Sequence, residues 1–127
     1  MVLVDTSVWI AVLRSAVAPE APLLAQLLDA DAVILPLPVR LELLSGTSTR
    51  DRGKLKSRLS ALAVAHPTEE TWALIERWVT DAADKGPRFG VGDLLIAALA
   101  AERNALVWSL DGDFERMARM KLIQLYD

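Results

Sequence analysis

The chain has 127 residues, 53% of them hydrophobic, and a net charge of −3 at pH 7, which suits one domain with one core. It contains no cysteine, so disulfide bonds, thiolate catalysis and thiolate zinc sites are excluded. Its single histidine, His66, is expected in a loop before Pro67, so a metal ion would have to be held by oxygen, as magnesium and manganese are.

The same composition bears on location and partners. No apolar run reaches the roughly 18 residues of a membrane span. Met1 leads directly into an apolar segment without the basic start of a signal peptide. We therefore expect a soluble cytoplasmic protein, and the high apolar content suggests that another chain covers part of its surface.

The first residues predict a strand that ends at an acid. Val2, Leu3 and Val4 form a short apolar run, Asp5 follows, and residues 6–14 have the spacing of an amphipathic helix. A buried parallel strand that carries an acid to its carboxyl end is the usual way in which an open α/β sheet presents chemistry.

The next segments predict a helix, a strand and another helix. Residues 22–30 have helical spacing. Residues 32–35 form a short strand pattern that Pro36 should close, since interior strands rarely contain proline. Residues 38–44 return to helical spacing, with Gly46 as the expected C-cap.

A basic helix is predicted next, capped by Ser48 or Thr49. In a helix, Arg50, Lys54 and Arg58 share one face. That face is either a positive stripe on a net acidic molecule or an ordinary solvated surface.

A short strand and a long helix follow. The strand is predicted at residues 63–65, and the helix over residues 68–84, with Thr68 as its cap. Gly86 and Pro87 then break the chain.

The last third of the chain completes an alternation of helices and strands. Residues 93–103 form an almost uniformly apolar helix, which must be covered nearly all round. Strands are predicted at residues 105–109 and 122–125, with a turn and a short basic helix between them. This alternation predicts a parallel sheet with right-handed crossovers in a three-layer α/β arrangement.

Three acids lie at the ends of predicted elements. Asp5 closes the first strand, Asp93 opens the most apolar helix, and Asp111 follows the strand that ends at Ser109. Each has an ordinary interpretation. Asp5 and Asp93 would each contribute about 1 kcal/mol as N-caps, and Asp111 with Gly112 is a common turn pair.

A fourth acid, Glu42, lies between Leu41 and Leu43 in an apolar helix. If buried, it needs a partner or a cation to offset its desolvation; otherwise it lies on an exposed helix edge. Because strand ends and helix starts of a parallel sheet share one edge, the four acids should converge and repel each other unless a divalent metal binds among them. The pattern therefore predicts metal-assisted phosphodiester hydrolysis.

Four segments together resemble the PIN-domain ribonucleases, and in particular the VapC toxins of bacterial toxin–antitoxin pairs: VLVDTSVWI, RLELLSG, GVGDLLIAALA and VWSLDGDF. The resemblance extends, in order and spacing, over essentially the whole chain. It implies a single PIN domain over residues 1–127, folded as a three-layer α/β/α sandwich around a short parallel sheet. It also implies a metal-dependent endoribonuclease that inhibits growth, forms a homodimer and is neutralised by a cognate antitoxin.

The resemblance further implies roles for individual residues. The implied catalytic residues are Asp5, Glu42, Asp93 and Asp111, and the implied ligands of Mg²⁺ or Mn²⁺ are Asp5, Asp93 and Asp111. Asp113 is an auxiliary candidate, because family members differ in which acid of this segment they use. The hydroxyl of Ser109 would position a water or a phosphate, unless Ser109 is only a turn residue. RNA would bind along Arg50, Lys54 and Arg58.

Two other classes of protein also place an aspartate after the first strand. A phosphatase of the haloacid-dehalogenase type needs a second aspartate two residues later, where this chain has Ser7. A non-catalytic receiver module needs an acidic pair beside Asp5, which this chain lacks. Phosphorylation by acetyl phosphate would favour the receiver, whereas metal-dependent RNA cleavage would favour the nuclease.

Overall fold

The computed structural model describes residues 1–82, 86 and 88–127. Its strands are β1 (Val2–Val4), β2 (Val33–Pro36), β3 (Ala63–Ala65), β4 (Leu106–Trp108) and β5 (Gln124–Leu125). Its helices are α1 (Thr6–Arg14), α2 (Glu20–Asp29), α3 (Leu37–Ser45), α4 (Thr49–Leu59), α5 (Glu69–Ala82), α6 (Val91–Glu102) and α7 (Gly112–Arg119).

The strands form one parallel sheet in the order β3-β2-β1-β4-β5. The chain first builds outward from β1 to β2 and β3, and then crosses to the other side of β1 to add β4 and β5. Strand order therefore reverses between β1 and β4, where Leu3 pairs with Val107. In open α/β sheets such a reversal leaves a crevice at the carboxyl ends of the two strands.

The hydrophobic core lies on both faces of the sheet. All residues of β1 and β2 are buried, although alternate side chains of a strand point to opposite faces. Seven consecutive residues of α6, from Leu94 to Ala100, are also buried. The expected three-layer α/β arrangement and the covered apolar helix are thus confirmed.

Several element boundaries differ from the predicted ones. Helix α2 begins at Glu20 rather than at Pro22, since proline is tolerated in the first turn of a helix. The strand predicted at residues 32–35, before Pro36, instead includes Pro36 as the last residue of β2, where it pairs with Ala65. Pro36 lies beyond the last residue pair between β2 and β1, so its missing N–H removes no hydrogen bond from that side.

Helices α5 and α6 also differ from prediction at their ends. Helix α5 is described over Glu69–Ala82, and residues 83–85 of the predicted helix, like Pro87, lie outside the described residues. Helix α6 begins at Val91 with Gly90 as its N-cap, so Asp93 lies inside the first turn and is not the cap. None of the helices in the described ranges is long and apolar enough to cross a membrane.

We expect Leu99→Ala to lower the free energy of unfolding by about 2–5 kcal/mol, because it leaves a cavity under the sheet. Leu99 is fully buried in α6. The matched control is Leu41→Ala on α3, whose side chain is 57% exposed and should change stability by no more than about 0.5 kcal/mol. Urea unfolding measures both values, and equal losses would contradict this account of the core.

Candidate active site

Two strand ends at the reversal of strand order bring the first acids together. Asp5 directly follows β1, and Asp111 lies three residues beyond Trp108, the last residue of β4. The Asp5 N–H donates to the Trp108 carbonyl at 2.9 Å, which ties the two strand ends to each other. The carboxyl edge of the sheet therefore carries both acids, as the sequence predicts.

Asp5 is a buried, hydrogen-bonded carboxylate. Its side chain is 6% exposed, and its Oδ2 accepts hydrogen bonds from the hydroxyls of Ser7 and Ser109, each at 2.8 Å. The Ser7 N–H also donates to Oδ2 at 3.4 Å, so Asp5 is the N-cap of α1. Among the residues that the structure describes, none forms a hydrogen bond with Oδ1 of Asp5.

The two serine hydroxyls also hold the loop that follows β4. The Leu110 N–H donates to Ser7 Oγ at 2.9 Å, and the Asp111 N–H donates to Ser109 Oγ at 3.0 Å. The two hydroxyl oxygens are 3.2 Å apart. Ser7 was not among the predicted site residues. Its signal in the sequence is a hydroxyl two residues after an acid at a helix start, the spacing of a local capping hydrogen bond.

Asp93 lies close enough to the other three acids for their negative charges to affect its pKa. It is half-buried in the first turn of α6. Its pKa is raised above the ordinary value of 3.8, first by burial and then by the negative charges of Asp111, Asp5 and Glu42. The structure thus brings all four predicted acids into one electrostatic neighbourhood.

Asp111 and Asp113 both belong to this cluster. One carboxylate oxygen from each of Asp93, Asp111 and Asp113 lies within 4.8 Å of the other two. Asp111 also caps α7, because its Oδ1 accepts the Asp113 N–H at 3.0 Å. Asp113 forms an ion pair with Arg116 one turn further along the same helix.

Glu42 lies on an exposed edge of α3, so the second of its two interpretations is the one observed. The buried side of α3 is formed by Val39 and Leu43, and Glu42 falls outside that stripe. It lines a groove of about 210 Å³ between α1 and α3, together with Arg14 and Thr47. Desolvation therefore does not demand a cation at Glu42 itself.

The basic stripe of Arg50, Lys54 and Arg58 is exposed on α4, while Leu55 and Leu59 face the core. Helix α4 packs against α3, the helix that carries Glu42. A neighbouring arginine, Arg52, is engaged differently. Its guanidinium donates to two backbone carbonyls at the end of α3 and beyond, those of Leu44 at 3.1 Å and Thr47 at 3.0 Å.

The donor set suits a hard divalent cation. Every predicted ligand is a carboxylate, the donor that Mg²⁺ and Mn²⁺ prefer. Among the described residues, Asp5, Glu42, Asp93 and Asp111 take part in no ion pair. Burial and then three neighbouring negative charges raise the pKa of Asp93, and a bound cation would stabilise its ionised form.

Comparison with known proteins gives one family. A sequence profile of the PIN domain matches residues 2–120. Curated protein sequences gave no significant match.

Several solved structures have a similar fold over nearly the whole chain. VapBC-1 from nontypeable Haemophilus influenzae is 21% identical with a TM-score of 0.79, over 100% of this chain and 98% of that chain. VapBC2 from Rickettsia felis, bound to a promoter DNA fragment, is 20% identical with a TM-score of 0.79, over 99% and 98%. Mycobacterium tuberculosis VapC20, a sarcin–ricin loop cleaving toxin, is 18% identical with a TM-score of 0.65, over 91% and 94%.

We expect Asp93→Asn to raise the melting temperature of the metal-free protein at pH 7. Because folding raises the pKa of Asp93, the folded chain binds this proton more tightly than the unfolded chain, and stability falls as the pH rises above 3.8. The substitution removes that loss, so the two proteins should melt alike only at lower pH.

Thermal unfolding with chelator at several pH values measures this difference. Asp29→Asn, at the exposed end of α2, is the control and should follow the wild type. A lower melting temperature for Asp93→Asn at pH 7 would contradict the proposed repulsion.

Proposed function

The chain belongs to the PIN-domain family, and from this we propose that it is a divalent-metal-dependent endoribonuclease, a VapC-like toxin. The observation that supports the proposal is a carboxylate cluster: one oxygen from each of Asp93, Asp111 and Asp113 lies within 4.8 Å of the other two. The charges of Asp5 and Glu42 also act on Asp93. An acidic cluster of this kind would repel an anionic phosphodiester by itself. With a bound cation it could bind and polarise one.

Asp5, Asp93 and Asp111 would hold Mg²⁺ or Mn²⁺. A bound cation would supply a Lewis acid that activates water and stabilises the charge developing on the phosphate. Asp5 is buried and held by hydroxyls, so it keeps one orientation. Asp113 already forms an ion pair with Arg116, so its charge is partly neutralised, which suits an auxiliary role.

Glu42 would act from the rim of the cluster. It is exposed, so its carboxylate remains accessible to water and to substrate. Its negative charge is one of the causes of the raised pKa of Asp93. We propose that Glu42 orients the attacking water rather than serving as a principal metal ligand.

RNA is the proposed substrate, with α4 as a surface for its backbone. The VapC20 protein named above is a sarcin–ricin loop cleaving toxin, and its similar fold supports the proposal of an RNA target for this chain. The exposed stripe of Arg50, Lys54 and Arg58 supplies positive charge on a chain of net charge −3. Arg52 is left out because its guanidinium already binds backbone carbonyls.

We also propose that the chain has protein partners, a cognate antitoxin and a second copy of itself. The similar structures from Haemophilus and Rickettsia are VapBC complexes. Large apolar side chains are exposed on and around the neighbouring helices α1, α2 and α3, namely Leu13, Val17, Leu23 and Leu41. On α5, Trp72 and Val79 are also about half exposed and are two turns apart. Such surfaces favour contact with another protein.

We expect Asp5→Asn to lower the rate of RNA cleavage at least about 100-fold, the scale of losing one preorganised charge contact in a transition state. Cleavage of a panel of RNAs with Mg²⁺ or Mn²⁺ measures the rate, and a chelator should abolish it. The control is Asp29→Asn, which lies at the end of α2 that leads to the amino end of β2, at the opposite edge of the sheet. Equal cleavage by wild type and Asp5→Asn would contradict the proposed site.

We expect the triple reversal of Arg50, Lys54 and Arg58 to glutamate to weaken RNA binding without weakening metal binding. If each residue contacts one phosphate, the slope of log affinity against log salt should fall by about 0.7 per lost contact on single-stranded RNA. RNA binding is best measured in the Asp5→Asn background, in which cleavage should be slow, and metal binding in the protein that keeps Asp5.

A variant with the same charge change at exposed positions outside α4 is the control: Arg77, Arg119 and Lys121 to glutamate. If both triple variants lose the same affinity, net charge explains the effect and α4 is not the binding surface. An unchanged affinity for the α4 variant would likewise remove the stripe from the proposal.

A further inference from the structure

We propose that Ser7 and Ser109 act together as positioning residues, which fix the buried Asp5 and the Asp111 loop in the geometry that binds metal. This inference rests on the proposed function, because it concerns how the chain prepares its metal ligands. Neither hydroxyl is required to touch the substrate. Ser7 acts through Asp5 and Leu110, and Ser109 acts through Asp5 and Asp111.

The hydrogen bonds define a single arrangement of protons. Each hydroxyl has one proton to donate and can accept from another group. The ionised Asp5 only accepts, so both hydroxyls donate to its Oδ2, at 2.8 Å each. Their 3.2 Å separation is then a close approach of two oxygens with no proton left to share.

The same hydroxyls use their acceptor capacity on two consecutive backbone amides. Leu110 N–H donates to Ser7 Oγ, and Asp111 N–H donates to Ser109 Oγ. Two parallel chains of hydrogen bonds therefore run from the loop, through one hydroxyl each, to a single oxygen of Asp5. The bond from Ser109 to Asp5 joins residues 104 positions apart in the sequence.

For Asp5, this arrangement determines which oxygen remains for a cation. Three donors from Ser7 and Ser109 occupy Oδ2. Rotation of the carboxylate would break hydrogen bonds to a group that is 6% exposed and has little water to replace them. Oδ1 is therefore the oxygen that Asp5 presents to the site.

For Asp111, these hydrogen bonds hold a loop whose side chains pack little against the core. Leu110 is 54% exposed and Asp111 is also exposed, so burial of apolar surface does little to fix them. The amide hydrogen bond from Leu110 to Ser7 joins the loop directly to the residues that follow β1, and the one from Asp111 to Ser109 joins it to Asp5 through the Ser109 hydroxyl. Losing one would let Asp111 move relative to Asp93, and the cluster would bind a cation less well.

The test compares Mn²⁺ binding by wild type, Ser7→Ala and Ser7→Thr, measured by isothermal titration calorimetry. We expect Ser7→Ala to weaken Mn²⁺ binding about 10- to 100-fold, as the loss of residues that orient metal ligands commonly does. Ser7→Thr keeps the hydroxyl and should restore affinity to within a few-fold of wild type. Ser60→Ala, which removes an exposed hydroxyl that donates to Ser57 O on α4, is the matched control.

A second variant guards against misfolding. Ser109→Ala breaks the other hydrogen-bond chain and should weaken Mn²⁺ binding to a similar degree, while circular dichroism confirms that each variant is folded. Wild-type affinity in folded Ser7→Ala and Ser109→Ala would overturn the inference and leave the metal site standing. Absence of Mn²⁺ binding by the wild type would overturn the proposed function, and this inference with it.

Discussion

The burial of a carboxylate beside other carboxylates at one edge of the sheet is the constraint on which this structure depends. Burial first, and then the negative charges of Asp111, Asp5 and Glu42, raise the pKa of Asp93 and so make its ionised form costly. That cost is tolerated because the strand and helix that position the acids are deeply buried: β1 on both faces, and α6 over seven consecutive residues. A stable core thus holds a group of acids that is unfavourable by itself and that a bound cation would stabilise.

The acids at this edge also stabilise the helices that they introduce. Asp5 is the N-cap of α1, and Asp111 is the N-cap of α7. The capping interpretation and the metal-binding interpretation are therefore compatible, since a carboxylate has two oxygens and a cap uses one of them. In Asp5 the remaining oxygen is Oδ1. Local helix chemistry thus orients the groups that the tertiary fold gathers.

The position of each acid was predicted well where neighbouring residues in the chain determine it, and less well where distant residues do. Asp5 follows a short apolar strand and precedes an amphipathic helix, and both elements were predicted with the observed bounds, because adjacent residues determine them. Asp93 was expected to open its helix, but α6 begins two residues earlier at Val91, and Gly90 rather than the acid is the N-cap. The sequence left Glu42 either buried or exposed. Apolar residues lie on several sides of α3, and only the elements packed against this helix decide which side is covered.

The sequence by itself determined the alternation of strands and helices, the fold class and the family, and it singled out the four candidate acids. These follow from periodicity, capping residues and motifs, which depend on neighbours in the chain. Tertiary structure alone decided the strand order β3-β2-β1-β4-β5, the exposure of Glu42, the grouping of Asp113 with Asp93 and Asp111, and the hydrogen bond from Leu110 to Ser7. Each of these depends on contacts between residues far apart in sequence, such as Ser7 and Leu110, whose pairing no local pattern specifies.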